Sequence, residues 1–461
     1  MKLKLISPCA SKLRINGKTP RQLSGVRSKM PPWSLCCIAA VTPDSWEISI
    51  EDEMMDEIVY DDNPDLVAIS IIAAASSSRA YELGDYFRQK GIPVVMGGIH
   101  ASATTEETLK HADAVVVGEA EGIWSKVLDD CVNKNLKGVY KNNDLLDLKG
   151  LPRPRLDLLK HKDEYDVYQY VQPARGCMYH CEFCSTTAFW KKLRTRPVDE
   201  VIDEMKYLDP NKPIMIMDEF VGCDRNYYKE LLEKMIPLNL KYWSCQTGVR
   251  IAEDIEMLDL MQKAGCKYVF LGLESPNIQS LRNSNKNHND PNKYVEVAKR
   301  FHDRGIMIQG GFVFGLDSDD LGTFKRVYKL VKKTGIEEVQ LNLVYPYPGT
   351  PLREHMKKEN RVTSDDFDNY IFDGVNFIPK SMTQDELNTG YNWLLKKCSS
   401  RSFVVKNVIK KILKGRLMQA YGCYLLYKGT IRSMIAVRQN GIGSKSIRYP
   451  NTNSKTNAVK V

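Results

Sequence analysis

Residues 177–184, Cys-Met-Tyr-His-Cys-Glu-Phe-Cys, constrain this chain more than any other stretch. Cys177, Cys181 and Cys184 stand at offsets 0, 4 and 7. The run follows an alternating, strand-like segment at 168–172 and a tight Ala-Arg-Gly turn at 174–176. A loop of this length can fold three thiolates around one iron–sulfur cube, and a 4Fe–4S cluster held by three cysteines keeps one iron open to an exogenous ligand. The competing readings are a zinc knuckle or a set of core thiols. Zinc usually takes four protein ligands, and no further Cys or His completes the set at zinc-finger spacing. His180, inside the loop, reads as a solvated residue.

On either side of the loop, strands and helices alternate. Before it, residues 1–6, 47–50, 66–71, 93–98 and 114–118 read as strands, with helical patterns at 80–90 and 106–111. This predicts an α/β architecture over 1–150, a doubly wound, Rossmann-like parallel sheet. Ligands of such sheets bind beyond the carboxyl ends of the strands. Those ends carry Ser70 and then Ser76-Ser77-Ser78, Gly97 and Gly98 followed by His100, and Gly118 followed by Glu119. Paired glycines remove side chains where a flat ligand must approach the backbone; a ligand-free module with the same turns is the alternative. Residues 151–166 open on Leu-Pro-Arg-Pro-Arg, a stiff linker.

Beyond the cysteines, 213–217, 242–247, 268–273, 307–314 and 338–344 read as strands, with helical patterns such as 198–208 and 255–264 between them. Together with 168–172 they make six repeats over 167–360, a partial (β/α)6 barrel, whose chemistry would sit at the carboxyl ends. Asp218 and Glu219, Gln246 with Arg250, Glu274, and Gly310 with Gly311 mark those ends. Each also has a structural reading, because strand-end carboxylates cap helices and glycines relieve packing. Cys223, Cys245 and Cys266 read as buried structural thiols rather than a second cluster.

The CxxxCxΦC spacing, with Phe183 as the aromatic residue, resembles the signature of the radical S-adenosylmethionine (SAM) enzymes. The order of Ser70, Gly97, Gly98 and Gly118 resembles the cobalamin-binding domain that precedes the barrel in a subset of them. The resemblance implies that Cys177, Cys181 and Cys184 hold a 4Fe–4S cluster whose open iron chelates SAM, and that one electron releases a 5′-deoxyadenosyl radical. It implies Glu219 near the SAM amino group, Glu274 at the ribose, Gly311 beside adenine, and Phe183 and Gln246 in the same cofactor site. It further implies cobalamin as methyl donor at the first sheet. The loop at 8–13, Pro-Cys-Ala-Ser-Lys-Leu, lacks the cobalt-ligating histidine of methionine-synthase-type domains. His100 is a substitute ligand or, by preference, the donor or acceptor of a loop-ordering hydrogen bond.

The activity so implied is methyl transfer to an unactivated carbon of a small-molecule or lipid-like substrate, with an electron donor such as flavodoxin or ferredoxin. Radical rearrangement or oxidative cyclisation without methyl transfer is the alternative on the same scaffold. A non-catalytic cobalamin or Fe–S sensor is the alternative of another class.

The net charge of +9 belongs to the C-terminal region, where thirteen Lys or Arg and no Asp or Glu follow from Arg401 onward. Residues 361–438 are expected to be helical, starting with Thr383 as an N-cap and Glu386 three residues on. The basic, amphipathic stretch at 404–417 reads as a helix packed on the barrel with its lysines outside; membrane-surface contact, an acidic substrate or RNA are the alternatives. Residues 439–461 read as a disordered tail. No RNP or KH signature is present, so no nucleic-acid partner is expected. No run reaches the roughly 18 apolar residues of a membrane span. The first residues lack a signal-peptide core. The twelve cysteines are scattered apart from the triad and the Cys36-Cys37 pair. These features point to a cytoplasmic, reducing setting, with any membrane contact peripheral and confined to the basic region.

Overall fold

Short runs of Val, Ile, Leu and Ala form the first sheet because both of its faces are covered. The computed structural model describes residues 1–14, 19–21, 30–142, 144–370, 374–417 and 419–425. Strands β1 (Lys2–Ser7), β2 (Glu47–Asp52), β3 (Leu66–Ser70), β4 (Val94–Gly97), β5 (Ala114–Val117) and β6 (Gly138–Lys141) lie in the order β2-β1-β3-β4-β5-β6. All pairs are parallel. Helices Trp33–Ala40 and Trp124–Val132 bury Leu35, Cys36, Trp124 and Leu128 on one face. Helix Ser77–Gln89 buries Ala80, Leu83 and Phe87 on the other. A sheet covered on both faces loses hydrophobic alternation and reads as continuous apolar runs. The strand order reverses direction at β1 and β3, the switch point where such sheets bind ligands.

Five of the six strands and helix Ser77–Gln89 follow the sequence reading. The sixth, β6, is a short edge strand with one buried side chain, Tyr140, so it leaves no apolar run to detect. The segment expected as one helix at 106–111 is a single turn, Thr105–Thr108, preceded by helix Ile99–Ala103.

The second sheet begins with β7 (Gln169–Val171). A two-residue antiparallel ribbon, β8 (Ala174–Arg175) and β9 (Arg194–Thr195), then brackets the cysteine loop. Strands β10 (Ile214–Val221), β11 (Trp243–Thr247), β12 (Cys266–Glu274), β13 (Met307–Phe314) and β14 (Glu338–Leu343) complete a six-stranded parallel sheet in the order β14-β13-β12-β11-β10-β7. Helices alternate with these strands. Val198–Met205, for example, buries Val198, Val201, Ile202 and Met205, the i, i+3, i+4, i+7 stripe of a helix lying on a sheet. Asp224 and Asp254 cap the next two helices by accepting from the Tyr227 and Met257 amides. Six strand–helix repeats make the partial barrel that the sequence predicts.

One boundary differs. β10 runs on through Asp218 and Glu219 to Val221, with an irregularity against β11 between Ile216 and Val221. The two carboxylates therefore lie within the strand, not beyond it. Adjacent acids read as a strand stop, but hydrogen bonds within the fold hold Asp218 in place.

After the barrel the chain returns to the carboxyl edge of the first sheet. The Phe367 ring packs edge-on to His100 at 4.8 Å, and Phe367 and Tyr370 close over Ala74. Helix Gln384–Cys398 starts with the expected capping box of Thr383 and Glu386. Helix Arg401–Leu413 packs on the barrel, but not with every lysine outside. Lys411 points inward to Glu337 at 2.6 Å, while Val405, Ile409, Ile412 and Leu413 face out. The tail expected at 439–461 lies outside the described residues. Among the described residues no helix is long and apolar enough to cross a membrane.

Candidate functional site

Gly176 opens the cysteine loop, and only glycine fits there. Its φ is +91°, and a Cβ would stand 2.3 Å from the Lys192 carbonyl oxygen. The loop between the ribbon strands is anchored from outside. The Glu182 amide donates to Ser284 O at 3.2 Å, Leu352 N donates to Glu182 O at 3.1 Å, and Asn285 Nδ2 donates to His180 O at 2.8 Å. Cys177, Cys181 and Cys184 are half-buried and none is in a disulfide. Burial pushes the Cys181 thiol up to about 12 and raises Cys177. Such thiols keep their protons unless a strong positive charge binds them, as the iron of a cluster does. Cys177 lies in the field of Cys184, and Cys181 in that of both Cys177 and Cys184. Among the described residues, no three His, Cys, Asp or Glu side chains converge on one ion. Three half-buried thiols on one loop are the donor set that a 4Fe–4S cluster with one open iron takes. Phe183 is partly buried against the barrel core.

Two carboxylates named from the sequence flank these thiols. Glu274, at the end of β12, is 9% exposed and has φ +61°, a left-handed conformation unusual for a non-glycine residue. Its Oε1 pairs with Lys286 Nζ at 2.5 Å. Gly272 makes room for that pair, because a Cβ there would lie 2.5 Å from Glu274 Oε1 and 2.9 Å from Lys286 Nζ. Both partners contribute to the field at Cys181. Burial alone would lower the Lys286 pKa, but the Glu274 carboxylate and the Cys181 thiol outweigh it and the net is upward. Glu219 accepts from the Gly176 amide at 3.2 Å, and burial raises its pKa.

Asp218 has a different task. It is 2% exposed, accepts from the Ala174 amide at 2.8 Å and takes the Tyr228 hydroxyl, so it braces the strand that leads into the loop. Gln246 Nε2 reaches the Asp218 carbonyl at 3.4 Å, whereas Arg250 is exposed on a turn. Gly311 lies under the Phe270 ring, whose Cζ would be 2.5 Å from an added Cβ, which is the packing role open to a strand glycine. Cys245 and Cys266 are buried on neighbouring strands, as expected of structural thiols, and Cys223 is partly buried against the core.

Burial raises the Asp218 carboxyl to about 8. A raised acid in the folded state stabilises fully below its unfolded value near 4, and that contribution is lost as pH rises toward 8. Asp218→Asn keeps an acceptor for Ala174 and removes the ionisation. It is expected to flatten stability across that window and to be the more stable form at pH 8, by up to the order of 5 kcal/mol. Urea titrations of both proteins at pH 5 and pH 8 check this.

At the first sheet, Ser70 Oγ meets Ser34 Oγ at 3.1 Å, and the Gly118 amide donates to Ser102 Oγ at 3.0 Å. Gly98 has φ +102°, and a Cβ would lie 2.7 Å from Ile71 O; Gly118 has φ +86° with open space beside its α-carbon. Gly97 is not so constrained, since the nearest atom to an added Cβ is 3.6 Å away. Gly98→Ala is therefore expected to cost about 1–3 kcal/mol of stability. Gly97→Ala should stay within about 0.5 kcal/mol of the parent. Paired thermal melts separate the two. The loop-ordering bond expected of His100 is not made by its Nε2. That atom is buried without a partner among the described residues, burial lowers the imidazole to about 4, and the His100 amide donates to Ile71 O at 3.0 Å.

A buried ion network joins the two carboxyl edges. Arg175, two residues before Cys177, donates from Nη1 to Glu119 at 2.8 Å and from Nη2 to Glu121 at 2.6 Å. Arg194, its ribbon partner, holds the other oxygen of Glu119 at 2.5 Å. Among the described residues, Arg194 Nε and Nη2 remain buried without partners. The open space at Gly118, the unpartnered His100 nitrogen and the Arg194 donors together suit a broad ligand fringed with hydrogen-bonding groups, which cobalamin is. No local pattern announces Lys286, Arg175 or Arg194, because their partners lie far away in the chain.

The Radical SAM superfamily model matches residues 171–331, and the B12 binding domain model matches 24–128. Bacteriochlorophyllide d C-12(1)-methyltransferase of Chlorobaculum tepidum is 29% identical over 393 residues, covering 83% of this chain and 85% of that protein. Bacteriochlorophyllide d C-8(2)-methyltransferase of the same organism is 30% identical over 398 residues, covering 82% and 86%. The solved structure of the radical S-adenosylmethionine methyltransferase TsrM from Kitasatospora setae, with cobalamin and a [4Fe-4S] cluster bound, superposes with a TM-score of 0.62 at 15% identity, covering 85% of this chain and 81% of that one. At that identity the likeness is one of fold.

Proposed function

Because this chain belongs to the cobalamin-dependent radical SAM enzymes, we propose that it transfers a methyl group to an unactivated carbon of a small, largely apolar molecule. The observation that carries this reading is the seam between the sheets. The loop bearing Cys177, Cys181 and Cys184 is tied by Arg175 and Arg194 to Glu119 and Glu121, directly after the Gly118 edge. A methyl donor held at that edge and a radical-generating centre held by the loop would open onto one space. The two Chlorobaculum relatives are named as bacteriochlorophyllide d methyltransferases, which supports a small-molecule substrate of that class.

We assign the residue roles on this reading. Cys177, Cys181 and Cys184 would hold the cluster, and Ser70, Gly98 and Gly118 would border cobalamin. The cluster and SAM supply hydrogen-atom abstraction when bound, and cobalamin supplies the methyl group. Glu219 and Glu274 would meet the SAM amino group and ribose hydroxyls. Lys286 holds Glu274 in position through their 2.5 Å ion pair. Gln246 and Phe183 would border the same cofactors, and Gly311 lies under the Phe270 ring. Asp218 and Tyr228 keep the loop entry rigid, so that the thiols hold their spacing through turnover.

The test is anaerobic reconstitution with iron, sulfide and cobalamin, then incubation with SAM carrying a deuterated methyl group and candidate chlorins and isoprenoids. The expected products are 5′-deoxyadenosine and a substrate bearing one labelled methyl. Deoxyadenosine with an unmethylated, altered substrate would shift the reading to rearrangement or cyclisation. A reconstituted protein that never cleaves SAM would end it.

A further inference from the structure

Helix Arg401–Leu413 is apolar on two opposite faces. Phe403 and Val404 pack inward with Asn407 and Lys411. On the far side, Val405, Ile409, Ile412 and Leu413 are 49–82% exposed, and past the turn at Gly415 Leu417 and Tyr421 are exposed as well. A surface helix ordinarily turns polar residues outward, and one apolar on both sides needs cover on both. Beside this stripe Lys406, Lys410 and Lys414 recur every fourth residue and are exposed. The Lys410 ammonium lies over helix Thr323–Thr334, donating to Lys332 O at 3.2 Å.

The charges decide what covers the face. No Asp or Glu occurs after Glu386. The acids that reach this helix from neighbouring elements are already paired, Glu337 with Lys411 and Asp303 with Arg416 and Lys299. A second copy docking on the same stripe would set one lysine row against another, since a twofold contact apposes like with like. The chain after Leu425 is no better matched, because its charged residues are seven Lys or Arg. Partial burial, with the neighbouring Lys414 and Lys411 adding to it, lowers the Lys410 pKa.

We infer that this face rests on an anionic lipid bilayer, the apolar stripe entering the interface while the lysines meet headgroup charge. An in-plane helix with one apolar face and basic flanks binds in this way. Each basic residue near such a surface contributes about 1 kcal/mol, roughly a five-fold change in partitioning. The inference uses no step of the proposed reaction and stands or falls separately from it.

Co-sedimentation of the full chain with phosphatidylglycerol-containing vesicles, and with phosphatidylcholine vesicles as reference, tests it. Binding is expected to the anionic vesicles only and to weaken with salt. Lys406→Glu, Lys410→Glu, Lys414→Glu together should weaken it on the order of 100-fold or more. Ile409→Glu with Leu413→Glu should abolish it. These residues are exposed, so unchanged far-ultraviolet circular dichroism is expected for both variants. Failure to bind, equal binding to neutral vesicles, or binding indifferent to Ile409 and Leu413 each overturns the inference. So does a dimer in light scattering that the Ile409 and Leu413 substitutions dissolve, or vesicle binding that appears only when residues 426–461 are removed.

Discussion

Replacing any one of Cys177, Cys181 or Cys184 with alanine is expected to abolish cluster assembly and SAM cleavage, a loss on the order of 10⁶-fold or more. Two thiolates cannot hold a cube and still present one defined open corner. The effect should be chemical rather than structural. The loop is held by the Glu182, Leu352 and Asn285 hydrogen bonds, none of which uses a cysteine side chain. The cluster-free variants and the cluster-free parent should therefore melt within about 1 kcal/mol of one another. Iron and sulfide content, the visible absorption of the reconstituted protein and 5′-deoxyadenosine yield give three readouts of one cause. Cys223→Ala is the control: it should keep all three. A full iron complement in any triad variant would place the cluster elsewhere.

Arg175→Met is expected to cost about 3–5 kcal/mol of stability, because it strips a buried carboxylate of its partner. Arg175 is 5% exposed and divides its guanidinium between Glu119 and Glu121. Glu119 keeps Arg194, whereas Glu121 has no other ion pair among the described residues. The penalty should thus fall on Glu121. In a Glu121→Gln background the same Arg175 substitution should cost about 1–3 kcal/mol less. Denaturant midpoints of the four proteins close the cycle. The functional consequence should also be selective. The cysteine loop keeps its outer anchors, so iron content and deoxyadenosine formation should survive while methyl transfer falls, since the two cofactor edges are no longer held together. Loss of all three in parallel would mean that the network only supports the fold.

Legibility in the sequence followed the range of the interactions. The cysteine triad is contained in eight consecutive residues, and the buried strands announce themselves as apolar runs, because a parallel sheet covered on both faces needs such runs. The Thr383 capping box is likewise a local contract between residues three apart. Elements of weak local pattern were not visible: β6 buries a single side chain. The polar pair Asp218 and Glu219 looked like a strand end, yet the strand continues because Ala174 and Tyr228 satisfy Asp218 from outside. The lysine-bearing helix at 401–413 was legible as amphipathic, but not which side would face the barrel, since apolar residues occupy two faces and only Glu337, more than sixty residues earlier, draws Lys411 inward.

What the sequence alone determined was therefore the kind of chemistry and the class of architecture: three thiols spaced for a cluster, paired glycines at a strand end, and six-fold alternation of strand and helix. What only the tertiary structure decided was how those parts are aimed. Lys286 reaches Glu274 beside the thiols, Arg175 and Arg194 clasp Glu119 across more than fifty residues of chain, and Gly311 ends beneath Phe270. Those pairings depend on where separate strands bring their carboxyl ends. A charge finds its partner through space, and nothing in the local run of residues carries that distance.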